Sequence, residues 1–255
     1  KVFYHIDDFV FDYQSIKDLP FLKDKEYWNF ETQCKQIRAC MEKSDGYLTS
    51  TESLKSKIVE SFPEKPVFVN RNTASLEMVS LSLQALQGHK NYPGSIVLGY
   101  FSGSKTHNRD FAVIKSVLLG LLEKYDSVKL LVGGCLTLDS DFEPYENRIR
   151  KFDFIDWKGL PDKVASVDVN LMPLEDSVFN DCKSENKWIE AGLVSVPTVA
   201  SYNSELAKCI NSGIDGLLCK TEEEWTSVLT MLIENVDLRE KIGQAAFETV
   251  TGSCT

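Results

Sequence analysis

Short apolar runs alternate with helical segments along most of this chain, and that alternation constrains its fold more than any other feature. Neighbouring parallel strands need a crossover connection, which is usually a helix, so strand–helix–strand alternation indicates a parallel sheet covered by helices. The alternation is interrupted once, at the polar segment of residues 89–94 (HKNYPG). The sequence therefore predicts two α/β blocks joined by a linker.

The first block carries only about three strands. The predicted strands are residues 2–6, 46–50 and 66–70, and the predicted helices are residues 27–43 and 52–61. Ser50 and Thr51 precede the second helix and can cap it. Three strands are fewer than the usual sheet contains, so residues 1–90 are predicted to be the C-terminal remnant of a Rossmann-like domain.

The second block repeats the pattern for longer. Its predicted strands are residues 96–101, 128–132, 152–155, 167–172, 196–200 and 216–219. Its predicted helices are residues 111–125, 161–165, 205–212, 222–235 and 238–250. Six strands with helices between them predict a doubly wound parallel sheet, so residues 94–255 are expected to form a complete Rossmann-like domain.

The composition excludes some classes of function. A net charge of −10 argues against nucleic acid or anionic membrane as a non-specific partner, because both attract basic surfaces. The seven cysteines are scattered without a C-x-x-C pair, which favours reduced thiols in a cytosolic protein. No apolar run approaches the roughly 18 residues that a membrane span needs. Because Lys1 stands inside an apolar run, we expect the chain to be part of something longer.

Polar residues gather after the strand predicted at residues 167–172. They are Asn180, Asp181, Lys183 and Ser184, and the short helix that follows carries Glu190. Open α/β sheets hold their ligands beyond the carboxyl ends of the strands and at helix starts. This stretch is therefore the first candidate for a binding site.

The residue types in that stretch leave alternatives open. Lys183 at a helix start opposes the helix dipole, which makes sense if an anionic ligand lies between them; otherwise it is a solvated surface lysine. Glu190 either faces solvent or accepts two hydroxyl hydrogen bonds, as from a ribose diol. The spacing favours neither reading.

The loop after the first strand of the second block is the other candidate. Ser102, Gly103, Lys105 and His107 stand where a doubly wound sheet faces its ligand, and a glycine there lets backbone amides approach a phosphate. The loop is neither a Walker A motif nor G-x-G-x-x-G. The alternative is a polar turn with its glycine at positive φ.

Asp7 and Asp8 stand at the end of the first predicted strand. They could be metal ligands, a general base or a strand-end cap. Adjacent residues point to opposite sides of an extended chain, so joint coordination of one ion is not implied.

Several segments together resemble GT-B fold glycosyltransferases of the large retaining group called family 4. They are residues 4–8 (YHIDD), 44–51 (SDGYLTST), 69–70 (VN), 98–111 (LGYFSGSKTHNRDF), 168–174 (DVNLMPL) and 180–192 (NDCKSENKWIEAG). The last segment is the most specific, and the resemblance covers nearly the whole chain. In such proteins the acceptor domain is longer than the part present here.

The resemblance implies a nucleotide-sugar site. Ser102, Gly103, Lys105 and His107 would bind the diphosphate. Asn180, Lys183 and Ser184 would hold the sugar and phosphates. Glu190 matches the second glutamate of the family's E-x7-E motif, which holds the ribose hydroxyls. Catalysis is assigned to Glu190 and Asp8.

The chain departs from the family pattern in two places. Cys182 stands where the first glutamate of E-x7-E would be, so Asn180 or Asp181 would take over its contact with the donor sugar. The arginine and lysine of the family's "GR…KG" pattern are absent, so Lys105 or His107 would have to supply the charge.

The implied function is transfer of a sugar, with retention, from a UDP-, GDP- or dTDP-sugar to a saccharide or lipid-linked acceptor, as in surface polysaccharide synthesis. No metal or other cofactor is expected, and the expected location is cytoplasmic, with peripheral membrane association through regions outside this chain left open. The alternatives are a non-catalytic nucleotide-sugar-binding module and a GT-B fold nucleotide-sugar epimerase.

Overall fold

The computed structural model describes residues 1–19, 22, 28–88, 94–103 and 107–255. Their contacts divide the chain into two compact units. The first contains Lys1–Asn72, Asp176–Glu185 and Asn203–Leu206, and the second contains Thr73–Glu175, Asn186–Tyr202 and Ala207–Thr255. The predicted boundary between residues 90 and 94 falls almost entirely outside the described residues, and the two predicted domains stay a prediction.

The first unit is built on a three-stranded parallel sheet. Its strands are β1 (Phe3–Ile6), β2 (Gly46–Thr49) and β3 (Val67–Val69), in the order β1-β2-β3. Ile6 pairs with Thr49, and Thr49 pairs with Val69, so the three strands end level with one another. The residues that follow the strands therefore share one edge.

Helices pack with this sheet around a common core. They are α1 (Tyr13–Ile16), α2 (Phe30–Glu42) and α3 (Glu52–Ser61). The N-cap of α3 is Thr51, whose hydroxyl accepts a hydrogen bond from Leu54 N at 3.1 Å, as the sequence indicates. The core is formed by Ile6, Phe9, Phe11, Ile16, Cys34, Met41, Tyr47, Leu54, Ile58, Phe62 and Cys182.

The second unit is a six-stranded parallel sheet, as predicted. Its strands are β4 (Ile96–Ser102), β5 (Val128–Gly134), β6 (Ile149–Phe152), β7 (Val169–Met172), β8 (Thr198–Ser201) and β9 (Leu217–Cys219). They are arranged in the order β6-β5-β4-β7-β8-β9. This is the doubly wound order 3-2-1-4-5-6, whose direction reverses between β4 and β7. The fold therefore places its switch point beside the end of β4.

Helices pack against this sheet. They are α4 (Leu76–Ala85), α5 (His107–Ala112), α6 (Lys115–Lys124), α7 (Leu160–Ala165), α8 (Asn186–Gly192), α9 (Leu206–Cys209), α10 (Glu222–Glu234) and α11 (Val236–Ser253). Except for β6, the strands between them are mostly buried, with every residue of β7 and β8 inside. Near-continuous apolar runs are what strands covered on both faces require.

Several elements differ from the expectation, among them α1, which was not predicted. The helix predicted at residues 111–125 is two helices, α5 and α6, and the strand predicted at residues 152–155 is β6, which begins at Ile149. β6 is an edge strand and contains Arg150 and Lys151. Charged residues are typical of edge strands, but they interrupt the apolar run by which a strand is predicted from the sequence. Helix α4 was not predicted, although Ser75 caps it through a bond from Met78 N at 3.1 Å.

Among the described residues, no helix combines the length and the apolar character that crossing a bilayer requires.

Candidate functional site

The switch point of the second unit lies at Ser102 and Gly103, where β4 ends. Ser102 is buried and Gly103 is exposed. Among the glycines that the structure describes, positive φ angles occur at Gly94, Gly134 and Gly213, and Gly103 is not one of these. Among the described residues, a Cβ added to Gly103 would meet no atom within 4 Å. Gly103 therefore does not have the positive φ that the polar-turn reading assigned to it.

The glycine that this edge requires is Gly134, at the end of β5. Its φ is +85°, and an added Cβ would lie 1.8 Å from the carbonyl oxygen of Ser102. Side chains other than glycine are rare at such a φ, and no rotation relieves a contact with backbone. Gly134 thus allows the ends of β4 and β5 to approach closely.

Lys187 of α8 is the basic residue that the sequence reasoning missed at this edge. Its Nζ donates a hydrogen bond to the carbonyl oxygen of Phe101 at 2.6 Å and lies 5.7 Å from the centre of the Tyr100 ring. An ammonium group is thereby placed at the end of β4. The available signal was its spacing of three residues from Glu190, which puts both side chains on one side of a helix.

Glu190 is a partly exposed residue of the same helix. Burial raises the pKa of its carboxyl, and the nearby charge of Lys187 opposes that rise. An ionised carboxylate is an acceptor only, with capacity for two hydroxyl groups. Lys187 and Glu190 therefore combine a cation with an acceptor on one turn of α8.

The loop after β7 is held from both sides within the second unit. Leu174 N donates to Ser201 Oγ at 2.9 Å, and Glu175 N donates to the buried carboxylate of Asp110 at 2.9 Å. Arg109 Nε lies 3.2 Å from Glu175 Oε1. These bonds fix the start of the polar stretch that the sequence singled out.

In the first unit the structure brings together two predicted residues, Lys183 and Asp8. Lys183 Nζ lies 3.7 Å from Asp8 Oδ1 and 4.7 Å from the centre of the Phe179 ring. The side chain of Asp8 is 53% exposed, against 20% for Lys183. The lysine is therefore held by a carboxylate on one side and an aromatic face on the other.

The neighbours of Lys183 contact the ends of the other two strands. Thr51, after β2, donates its hydroxyl to the carbonyl oxygen of Cys182 at 3.0 Å. Asn72, after β3, donates its amide to Ser184 Oγ at 3.0 Å. Residues 182–184 thus contact the residues after all three strands of the first sheet.

Cys182 does not replace the charge of the glutamate it stands for. The thiol is buried, and burial raises its pKa to about 12, so it is neutral at physiological pH. Of the two proposed substitutes, Asn180 is buried and Asp181 is exposed. Although the residue is exposed overall, partial burial of its carboxyl raises the pKa of Asp181, and the charge of Asp176 adds to the rise.

Two predicted residues of the loop after β4 receive no structural account. Lys105 lies outside the described residues, and so does the side chain of His107, although its backbone begins α5. In the part of the chain that is described, no group of three or more His, Cys, Asp or Glu side chains could hold a metal ion.

A cavity of about 580 Å³ lies in the second unit, away from the carboxyl edge. It is lined by residues near the amino ends of β7 and β8, such as Asp168 and Pro197, and by Arg239 of α11. Arg239 donates to the carbonyl oxygens of Leu232 and Ile233. The guanidinium of Arg239 thus bonds to carbonyl groups at the end of α10. For this reason we place the candidate site at the switch point and not in this cavity.

Comparison with known proteins identifies the fold. No model of a known protein family matches the chain, and no curated protein sequence matches it. Solved structures do match. The chain is similar to WaaG, described as a glycosyltransferase involved in lipopolysaccharide biosynthesis, with a TM-score of 0.69 and 13% identity over 98% of this chain and 70% of that one.

Two further matches contain nucleotide. Alr3699/HepE of Anabaena, in complex with UDP and glucose, has a TM-score of 0.65 and 14% identity over 98% of this chain and 66% of its own. A mutant form of TarM of S. aureus, in complex with Fondaparinux, alpha-GlcNAc-glycerol and UDP, has a TM-score of 0.66 and 15% identity over 87% of this chain and 44% of its own. The chain thus spans about two thirds of HepE and less than half of TarM. The chain shares the GT-B fold of these solved structures.

Proposed function

We propose that this chain is the donor-binding part of a glycosyltransferase that moves a sugar, with retention, from a nucleoside diphosphate sugar to a saccharide or lipid-linked acceptor in surface polysaccharide synthesis. The observation that carries the proposal is the pair Lys187 and Glu190 on one helix beside the end of β4. UDP in the complexes of HepE and TarM supports the class of donor.

The diphosphate needs positive charge, because charge develops on it as the sugar departs. Lys187 supplies an ammonium at the end of β4, where this fold binds phosphates. This position can offset the loss of the family's arginine and lysine from the preceding loop. Ser102 and Gly103 then contribute donors from the loop itself, together with Lys105 and His107.

The ribose is proposed to bind Glu190, whose ionised carboxylate can accept hydrogen bonds from both ribose hydroxyls. The charge of Lys187 favours that ionised form against the effect of burial. Asn180, Lys183 and Ser184 keep their proposed role at the sugar and phosphates. Asp8 keeps its proposed catalytic role, and its exposure leaves the carboxylate accessible.

Titration calorimetry with UDP, GDP, dTDP and UDP-glucose tests the binding step. One nucleotide should bind the wild-type chain, and Lys187→Met and Glu190→Gln should each weaken it about tenfold, which corresponds to about 1.4 kcal/mol. Lys158→Met is the matched control, because Lys158 pairs with Glu77 on an exposed surface at 2.6 Å. A folded chain that binds none of these ligands contradicts the proposal.

Transfer itself is a separate question from binding. A donor-hydrolysis and transfer assay, with proton NMR of the anomeric product, separates a retaining transferase from a binding module. Asp8→Asn should lower kcat and leave the nucleotide Kd unchanged. Nucleotide binding with neither hydrolysis nor transfer, in a protein that includes the remaining acceptor part, favours the module instead.

A further inference from the structure

Two short segments of the first unit are separated from the rest of it in the sequence. Asp176–Glu185 follows β7, and Asn203–Leu206 follows β8, yet both make their contacts within the first unit. Each segment contains a buried glutamate, Glu185 at 2% and Glu205 at 0% exposure. Carboxylates are almost never fully buried unless they are paired.

One arginine pairs with both glutamates. Arg71 follows β3; one terminal nitrogen of its guanidinium donates to the two carboxylate oxygens of Glu185 at 3.1 and 3.0 Å. Its other terminal nitrogen donates to Glu205 Oε2 at 3.0 Å. The remaining oxygen of Glu205 accepts from the backbone and the hydroxyl of Ser53, both at 2.9 Å. Arg71 thus joins the two segments, which also bond to each other directly where Asn203 Nδ2 donates to the carbonyl oxygen of Asn180 at 3.3 Å.

Arginine suits this position better than lysine does. Its planar guanidinium presents several donors in fixed directions, so it can hold two carboxylates at once. Lysine is a point charge on a flexible stem and would lose part of this geometry. Removing the cation would leave two buried carboxylates without it, which is far more costly than losing an exposed ion pair.

The same connection also holds the residues that the proposed function uses. Asn72, next to Arg71, bonds to Ser184, and Ser184 precedes Glu185. We propose that Arg71 is a positioning residue that joins the segments after β7 and β8 and so fixes Lys183 and Ser184 for the donor. The effect on the donor rests on the proposed function; the joining of the segments does not.

Hydrogen–deuterium exchange tests the joining directly. In Arg71→Met, amides of residues 176–185 and 203–206 should exchange at least tenfold faster, while those of α10 stay unchanged. Arg71→Lys should restore part of the protection. The triple variant Arg71→Met/Glu185→Gln/Glu205→Gln removes the buried charge, so it keeps the test possible if Arg71→Met does not fold. It should still exchange faster than the wild type in both segments. If Arg71→Met or the triple variant folds and the amides of residues 176–185 and 203–206 exchange as slowly as in the wild type, the inference is overturned.

Donor kinetics test the consequence. Arg71→Lys should raise the donor KM several-fold with a smaller change in kcat, and Lys158→Met should change neither. Faster exchange in both segments with an unchanged donor KM overturns the positioning role. If the wild-type chain neither binds nucleotide nor transfers sugar, the proposed function fails, and the exchange data alone decide whether Arg71 joins the segments.

Discussion

The two sheets of this chain use the same edge in different ways. Both are parallel, and in both, polar residues follow the strands. In the first unit those residues bind the chain itself: Asp8, Thr51 and Asn72 contact residues 182–184. In the second unit the corresponding edge holds Lys187, beside the end of β4. Strand ends thus gather polar groups in both units. In the first unit these groups hold residues 182–184, and in the second unit the ammonium of Lys187 is proposed to bind the diphosphate.

This contrast predicts different responses to mutation. Changes at Thr51 or Asn72, at the edge of the first sheet, should act chiefly on stability, because these side chains bond to Cys182 and Ser184. Changes at Lys187 or Glu190 should act chiefly on ligand binding. One change in the second unit should act on stability instead, because the close approach of β4 and β5 depends on Gly134.

Gly134→Ala should produce the largest loss of stability. A residue other than glycine at this φ costs about 1–3 kcal/mol, and the contact with Ser102 backbone forces a further shift, so we expect more than about 3 kcal/mol in total. Urea denaturation of the two proteins measures it.

Gly213→Ala is the matched control, since Gly213 has φ +88° but its added Cβ would meet no atom of the described residues within 4 Å. It should cost only about 1–2 kcal/mol, from the backbone conformation alone. Equal losses for the two variants would mean that the approach of β4 to β5 does not require Gly134.

Thr51→Ala should have the next largest effect, because this hydroxyl serves two partners. It caps α3 and donates to the carbonyl of Cys182. Loss of a cap costs about 1 kcal/mol, and a buried carbonyl left without a partner costs about 1–3 kcal/mol more.

Thr221 provides the comparison in the second unit. It caps α10 by accepting from Glu224 N at 3.2 Å, with nearly the same backbone angles as Thr51, but at an exposed site. Thr221→Ala should therefore cost about 1 kcal/mol. Thermal or urea denaturation measures the loss of stability in each alanine variant relative to the wild type. Equal losses would show that the bond from Thr51 to the carbonyl of Cys182 does not stabilise the chain.

Much of the architecture could be predicted from the sequence because parallel strands buried on both faces are apolar throughout. β7 and β8 were found for this reason. The edge strand β6 was misplaced because Arg150 and Lys151 interrupt its apolar pattern. The cap at Thr51 was predicted because it depends only on neighbouring residues.

The candidate site was less predictable, since it depends on contacts between distant residues. Nothing local to Arg71 shows that Glu185 and Glu205 lie beside it, more than a hundred residues away in the chain. Lys187 was missed because its contact with Phe101 joins residues that lie 86 positions apart in the chain. The need for glycine at position 134 likewise could not be predicted, because it arises from the backbone of Ser102 on the neighbouring strand.

The smallest expected effect is on the pH dependence of stability, through Glu190. Burial raises the folded-state pKa of its carboxyl above the ordinary value of 4.5. Between those two values the folded chain binds more protons than the unfolded chain, so its stability falls as pH rises through that window. Above the window the ionised carboxylate carries the full cost of its burial, reduced by Lys187.

Glu190→Gln should remove this dependence. Urea denaturation from pH 4 to pH 8 measures the free energy of unfolding of the variant and the wild type. As pH rises, the wild type should lose stability relative to the variant. Lys187→Met should steepen the fall in a chain that keeps Glu190, because the opposing charge is lost. A difference that does not change with pH would show that Glu190 is as solvated in the folded chain as in the unfolded one. The carboxylate would then need no help from Lys187 to stay ionised.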